Sequence, residues 1–255
     1  MNFLIINQNF EACYNRSIFV VAYIKNGVRM KELKILLLSK RREDFYAQQA
    51  IDFTTRLFPQ VEVHLGLPRE PMPAEALDWQ GDYILSYLCP WVVPAELLSR
   101  ASQGAINFHP APPQYPGTGC TNFAIYDGVK EFGATCHYMA AKVDSGKVIA
   151  VNRFPVFDED TVYSLTQRCY SYMLALFFDI VSKIARGETL PESDETWTRK
   201  PYRLKDLNEL KRITPDMPAE EVHRRIKAVT YPGYPGAYVE IAGERFTHTD
   251  KNLPK

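Results

Sequence analysis

Ala105-Ile106-Asn107-Phe108-His109-Pro110 is a short apolar run with two polar side chains set into it and a proline closing it. Residues 105–108 have the length and composition of a buried strand, and Pro110, which cannot continue a ladder, stops it. Positions two apart on a strand face the same side, so Asn107 and His109 point together past its carboxyl end. Working outward, residues 43–58 read as a helix stopped by Pro59, and 61–65 and 82–86 (DYILS) as strands. Residues 95–101 read as a short helix begun by Pro94, and 133–139 and 147–154 as two more strands. Strands alternating with helices predict an α/β fold: a Rossmann-like, mostly parallel sheet with helices on both faces. In such a sheet ligands bind beyond the carboxyl ends of the strands, where Asn107 and His109 stand.

Thr161 is placed to cap a long helix, with Asp158, Glu159 and Asp160 at its positive end. Leu165, Cys169, Met173, Leu176, Phe177, Ile180 and Ile184 recur along it at helical spacing, a pattern of core packing rather than of a ligand slot. Gly187 stops it. Residues 191–194 are a polar connector, 205–212 a charged segment and 219–230 a helix. Tyr231-Pro232-Gly233-Tyr234-Pro235-Gly236-Ala237 follows, then a hairpin turning at Ala242-Gly243. The chain thus divides into an N-terminal extension (1–29), a main domain (30–190) and a small C-terminal α+β appendage (191–255). Met30-Lys31-Glu32-Leu33 reads as the natural opening of the main domain, and Met30 as the biological start. The apolar run at 18–24 is too short to cross a bilayer, and no basic segment or cleavage site marks a secretory signal.

Lys+Arg and Asp+Glu both number 30, and this zero net charge lacks the basic excess of a large nucleic-acid footprint. The five cysteines (Cys13, Cys89, Cys120, Cys136, Cys169) are odd in number and show no CxxC or zinc spacing. They fit reduced thiols in a cytoplasmic protein, and no metal is expected.

Asp144-Ser145-Gly146 is the third polar landmark. Taken alone, each landmark has a plain structural reading: a satisfied histidine, a turn-forming asparagine, an ordinary turn. Their order is more informative. Asn107-Phe108-His109-Pro110, Tyr115-Pro116-Gly117, Asn122-Phe123-Ala124-Ile125-Tyr126-Asp127-Gly128, Gly133-Ala134-Thr135 and Asp144-Ser145-Gly146-Lys147-Val148-Ile149 follow one another. The set resembles the core signature of formyltransferases that use 10-formyltetrahydrofolate. That group includes glycinamide ribonucleotide transformylase, methionyl-tRNA formyltransferase and the sugar-nucleotide N-formyltransferases. The resemblance is strongest over residues 105–151 and looser over 34–187.

The resemblance implies formyl transfer to an amine through a tetrahedral intermediate. Asn107 would donate to the oxyanion, His109 would carry the proton, and Asp144 would orient the imidazole and stabilise its charged form. The reduced folate would lie between two loops, contributed by Leu88, Cys89, Pro90, Trp91 and Val92 and by Met139, Ala140 and Val143. Pro90 and Trp91 depart from the usual family sequence, and surface packing is an equal reading for Trp91. Cys120 is read as a pocket wall.

On the acceptor, residues 38–44 lack the Gly-Ser-rich phosphate loop of the purine enzyme, although Lys40, Arg41 and Arg42 form a charge run there. Ala111-Pro112-Pro113-Gln114 replaces the continuation usual in the tRNA enzyme, and the tail is short and not basic. The sugar-nucleotide enzymes fit better, with a dTDP- or UDP-linked amino sugar as acceptor and a formamido sugar for surface polysaccharide, such as lipopolysaccharide O-antigen, as product. Tyr115, Thr118, Gly119, Tyr231 and Tyr234 are the candidate acceptor contacts, with a rigid packed turn an equal reading for the last two. The alternatives are a tRNA-directed enzyme and a folate-hydrolysing or non-catalytic relative. The expected partners are the two small molecules, with no nucleic acid or membrane; a homodimer follows from family analogy alone.

Overall fold

The computed structural model describes residues 32–41 and 43–249; the readings of residues 1–29, Met30, Cys13 and Arg42 lie outside them. Its frame alternates strand and helix: β1 (Lys34–Lys40), α1 (Phe45–Leu57), β2 (Gln60–Gly66), α2 (Ala74–Asp78), β3 (Gly81–Tyr87), α3 (Ala95–Leu98) and β4 (Ala101–His109). There follow α4 (Cys120–Asp127), β5 (Glu131–Tyr138), β6 (Val148–Pro155) and α5 (Val162–Arg186). The strands form one sheet in the order β2-β1-β3-β4-β5-β6. The first four run parallel, and β5 and β6 complete the sheet antiparallel. The mostly parallel α/β sheet expected from the sequence is the one observed.

β1 shows why the sequence folds this way. Ile35 and Leu37 enter the core under α1, α4 and α5, while Leu36 and Leu38 enter a second core with Ala76, Trp79 and Leu97. A strand covered on both faces has no polar face to show, hence its unbroken aliphatic run. The stripe on α5 is core, as expected: Phe177 lies 5.0 Å from the Tyr87 ring and 4.8 Å from Phe108. The Thr161 hydroxyl accepts from the Ser164 N–H in a capping box, and Gly187 closes the helix at φ 69°.

Several element ends differ from the sequence reading by a residue or two, and two differences are larger. β4 begins at Ala101 rather than at residue 105, because Ala101 pairs with Gly81 at the foot of β3, and α3 is correspondingly short. Residues 120–127, quoted above only as a motif, form α4 between Gly119 (φ 76°) and Gly128 (φ 65°).

Past α5, the charged segment forms α6 (Leu204–Lys211), and α7 (Ala219–Val229) precedes the hairpin of β7 (Tyr238–Ile241) and β8 (Glu244–Thr247). Ala242 (φ 52°) and Gly243 (φ 85°) both take the left-handed conformation that a two-residue hairpin demands. Residues 193–202 form a strap across the carboxyl ends of the sheet. Ser193 N–H donates to the Val148 carbonyl, Tyr202 N–H to Pro116, and Thr118 N–H to Tyr202. The Tyr202 ring stacks on Phe123 at 3.6 Å, and the Asn122 side-chain amide donates to the Ala228 carbonyl. The change of composition at residue 191 is therefore not a break in packing.

Candidate active site

Asn107 and His109 end β4, and the antiparallel arrival of β5 sets His137 opposite Asn107. Parallel pairing with β3 puts Ser86 on the other side of the same residue. The Asn107 carboxamide is held from both sides. Ser86 Oγ donates to Oδ1 at 2.7 Å, and Nδ2 lies 3.1 Å from His137 Nε2. His137 Nδ1 donates to the Tyr138 carbonyl at 2.8 Å, so in the neutral ring Nε2 is the acceptor for Asn107. The second Nδ2 hydrogen takes no protein partner among the described residues, and Asn107 lines the cleft.

His109 Nε2 donates to the Tyr115 carbonyl at 2.9 Å, since a carbonyl can only accept. Nδ1, unprotonated in the neutral ring, faces Asp144 Oδ2 at 3.4 Å. The imidazole is thus oriented by a backbone carbonyl, and Asp144 faces the nitrogen that can still take a proton. The resemblance implies that Asp144 orients the imidazole and stabilises its charged form; its carboxylate lies beside Nδ1 while the Tyr115 carbonyl holds the opposite nitrogen.

Asp144 sits in the β5–β6 loop at φ 45°, a left-handed conformation uncommon for a residue with a side chain. Its Oδ2 accepts from the Gly117 N–H at 2.7 Å and Oδ1 lies 3.5 Å from His137 Nε2. Burial by itself raises its pKa, but His109, His137 and the Gly117 N–H outweigh this and hold it down to about 2. Burial lowers the His109 pKa below its ordinary 6.5; the Asp144 charge and the Tyr115 hydrogen bond oppose the shift without cancelling it. The pair therefore stands as carboxylate and neutral imidazole near neutral pH.

These side chains line a cleft of about 420 Å³. Leu88, Cys89, Pro90, Trp91 and Val92 form one wall, and Met139, Ala140 and Val143 the other. Leu88 takes φ 52° as the chain leaves β3. Trp91 lies over Gly66, where an added Cβ would fall 2.1 Å from the indole, and its Nε1 donates to the Glu70 carbonyl at 3.0 Å. The indole therefore both packs and lines the cleft. Apolar side chains beside a carboxamide, an imidazole and a carboxylate suit a ring system that carries polar atoms on one edge.

A second cleft, of about 1330 Å³, shares Val92, Gly117, Thr118, Lys142, Val143 and Asp144 with the first. Its far wall is the strap, including Trp197, Arg199, Lys200 and Tyr202. Five basic residues line it (Lys142, Lys147, Arg199, Lys200, Arg203) against the acidic Asp144 and Glu195.

The candidate acceptor contacts divide. Thr118 lines both clefts. Tyr115 is buried, its hydroxyl donating to Asp127 at 2.8 Å, and it serves His109 through its carbonyl. Gly119 caps α4 against Leu207. Tyr231 and Tyr234 line neither cleft; they pack edge-to-face on each other, and Tyr231 on Tyr163 of α5. Cys120 is no cleft wall either: its thiol donates to the Pro110 carbonyl inside the core. Of the charge run, Lys40 pairs with Asp44 and Arg41 with Glu70. Ser86, His137 and Trp197 were not singled out in the sequence. The alternation of Thr135 and His137 on a strand was the one available signal for His137. Among the described residues no group of three or more His, Cys, Asp or Glu side chains is placed to hold a metal ion, and no helix is long and apolar enough to cross a membrane.

Residues 64–179 match the family model of the formyl transferases. The fold is shared with a sugar N-formyltransferase from a Shewanella species (18% identical, TM-score 0.69, covering 87% of this chain and 99% of that one). It is shared also with a 4-N formyltransferase from Francisella tularensis (18% identical, TM-score 0.69, covering 88% of this chain and 99% of that one). An N-formyltransferase from Helicobacter canadensis, in complex with folinic acid and dTDP-3-aminofucose, is 18% identical with a TM-score of 0.66, covering 83% of this chain and 85% of that one.

Proposed function

We propose, from the match of residues 64–179 to the formyl transferases, that this chain moves a formyl group from 10-formyltetrahydrofolate to the amine of a nucleotide-linked amino sugar. One observation carries the reading: two clefts meet at Asp144, the smaller lined by Asn107, His109 and the loops after β3 and β5, the other three times larger and edged with basic residues. The first suits a reduced folate. The second suits an acceptor bearing a pyrophosphate, because clustered cations attract and orient a dianion. The bound dTDP-sugar of the Helicobacter enzyme supports the same class of acceptor.

The chain's own groups divide the work as follows. The free Nδ2 hydrogen of Asn107 meets the oxyanion that develops when the amine adds to the formyl carbon. Because Ser86 and His137 already hold the carboxamide, it need not reorganise as charge appears. His109 Nδ1 takes the proton the amine must shed, and the nearby carboxylate of Asp144 stabilises the imidazolium. The same nitrogen then returns the proton to the departing folate nitrogen. Holding His109 neutral beforehand keeps it ready as a base.

The test incubates the enzyme with 10-formyltetrahydrofolate and a panel of dTDP- and UDP-linked amino sugars, reading acceptor mass for one added formyl group. Formylation of at least one sugar nucleotide is expected. Formylation of charged initiator tRNA with every sugar untouched overturns the reading.

A further inference from the structure

The indole of Trp197 touches both histidines of the site and the turn that carries Asp144. Its ring centroid lies 5.8 Å from His109 and 4.9 Å from His137, both edge-on. Its Nε1 donates to the Gly146 carbonyl at 2.8 Å. That carbonyl has little freedom, since an added Cβ at Gly146 would fall 1.8 Å from the Tyr138 carbonyl oxygen. Although His109 and Asp144 line a cleft, each side chain is only 6% exposed. We propose that Trp197 is a positioning residue, shielding His109 from water and tying the Asp144 turn to the C-terminal strap. The inference rests on the proton-carrying role given to His109 above.

Burial disfavours the charged form of a histidine, so a side chain that supplies part of that burial sets when the base is ready. The other groups around His109 cannot supply the effect. Asp144, in the β5–β6 loop, favours the imidazolium, and His137 on β5 opposes it more weakly than burial does. The Cys120 thiol at the start of α4 is committed to Pro110. On the strap itself, Glu195 pairs with Arg153, and the Arg199 guanidinium lies 3.3 Å from the centre of the Tyr202 ring.

Histidine-labelled protein, with the His109 signal identified by its loss in His109→Asn, is titrated by NMR as wild type, Trp197→Ala and Trp197→Phe. The Ala variant is expected to titrate about one pH unit nearer the ordinary value. The acid limb of kcat/KM should move up with it, kcat should fall about tenfold, and the folate KM should hold. The Phe variant keeps a ring but loses the bond to Gly146; its titration should stay at the wild-type value while kcat falls severalfold. A folded Ala variant in which His109 titrates as in wild type overturns the proposal. Should that variant fail to fold by circular dichroism, Trp197→Leu decides: a smaller shift in the same direction supports the proposal and no shift overturns it. The titration needs no acceptor, so failure of the sugar-nucleotide reading would leave this test intact.

Discussion

Asn107, His109 and Asp144 are each held by groups outside the trio, and that support defines what their removal should do. Replacing any one with Ala is expected to cut turnover roughly a hundredfold or more, since an oxyanion donor or a proton carrier is worth about that much. Steady-state rates together with circular dichroism check that activity falls while the fold remains. The pH dependence follows from the lowered His109 pKa. The base must be neutral, so activity should persist as pH falls below 6.5 and be lost only through the lower, folded-state value. The stability contributions of His109 and Asp144 have the same sign: both pKa values are depressed by folding, so stability present above the unfolded values is lost as pH falls. A pH–kcat/KM profile whose acid limb sits at or above 6.5 would contradict the neutral-base arrangement. At this scale the trio was legible because its residue types are chemically suggestive. Ser86, His137 and the Tyr115 carbonyl were not, because register and a loop backbone deliver them.

Among the elements, β2 and the loop after β3 are coupled by one contact. Gly66 ends β2, and the Trp91 indole occupies the space a side chain would need. Gly66→Ala should displace that indole from its bond to Glu70 and raise the folate KM severalfold, with a smaller effect on the acceptor KM; kinetics with each substrate varied in turn measure this. Burial of α5 has a more general consequence. Phe177→Ala removes a fully buried ring between Tyr87 and Phe108 and should cost about 3–5 kcal/mol, read from denaturant melts. α5 was legible to its caps, because Thr161, Ser164 and Gly187 act locally. α4 is not legible in this way: it is only eight residues long and its buried set includes the polar Thr121 beside Cys120, Phe123, Ala124 and Ile125, so no amphipathic period marks it, and two glycines define its ends.

For the molecule as a whole, the strap makes the site a joint product of two stretches far apart in sequence. Residues 193–202 cross to the loop at 110–119, and at Gly117 an added Cβ would lie 2.3 Å from the Tyr202 carbonyl oxygen. The basic edge of the larger cleft comes partly from that strap and its continuation. Replacing Lys200 and Arg203 together with Glu should raise the acceptor KM about tenfold or more while leaving the folate KM nearly unchanged, and added salt should raise the wild-type acceptor KM. Equal effects on both substrates would place the acceptor elsewhere. The tail's Tyr231 and Tyr234, chosen from a conspicuous local pattern, pack beside α5, whereas Trp197 and Tyr202 from a plain polar stretch line the larger cleft.

Sequence alone determined what short-range physics controls: the strands and their buried faces, the capped α5, the hairpin turn, and the chemical character of Asn107, His109 and Asp144. Tertiary structure decided which groups surround them. Hydrogen-bond partners across strands depend on register, and the strap's path depends on long-range packing; neither leaves a periodic trace in the chain. The tautomer of His109, the grip on Asn107 and the second cleft therefore emerged only when residues 86, 107, 115, 137, 144 and 197 came together in space.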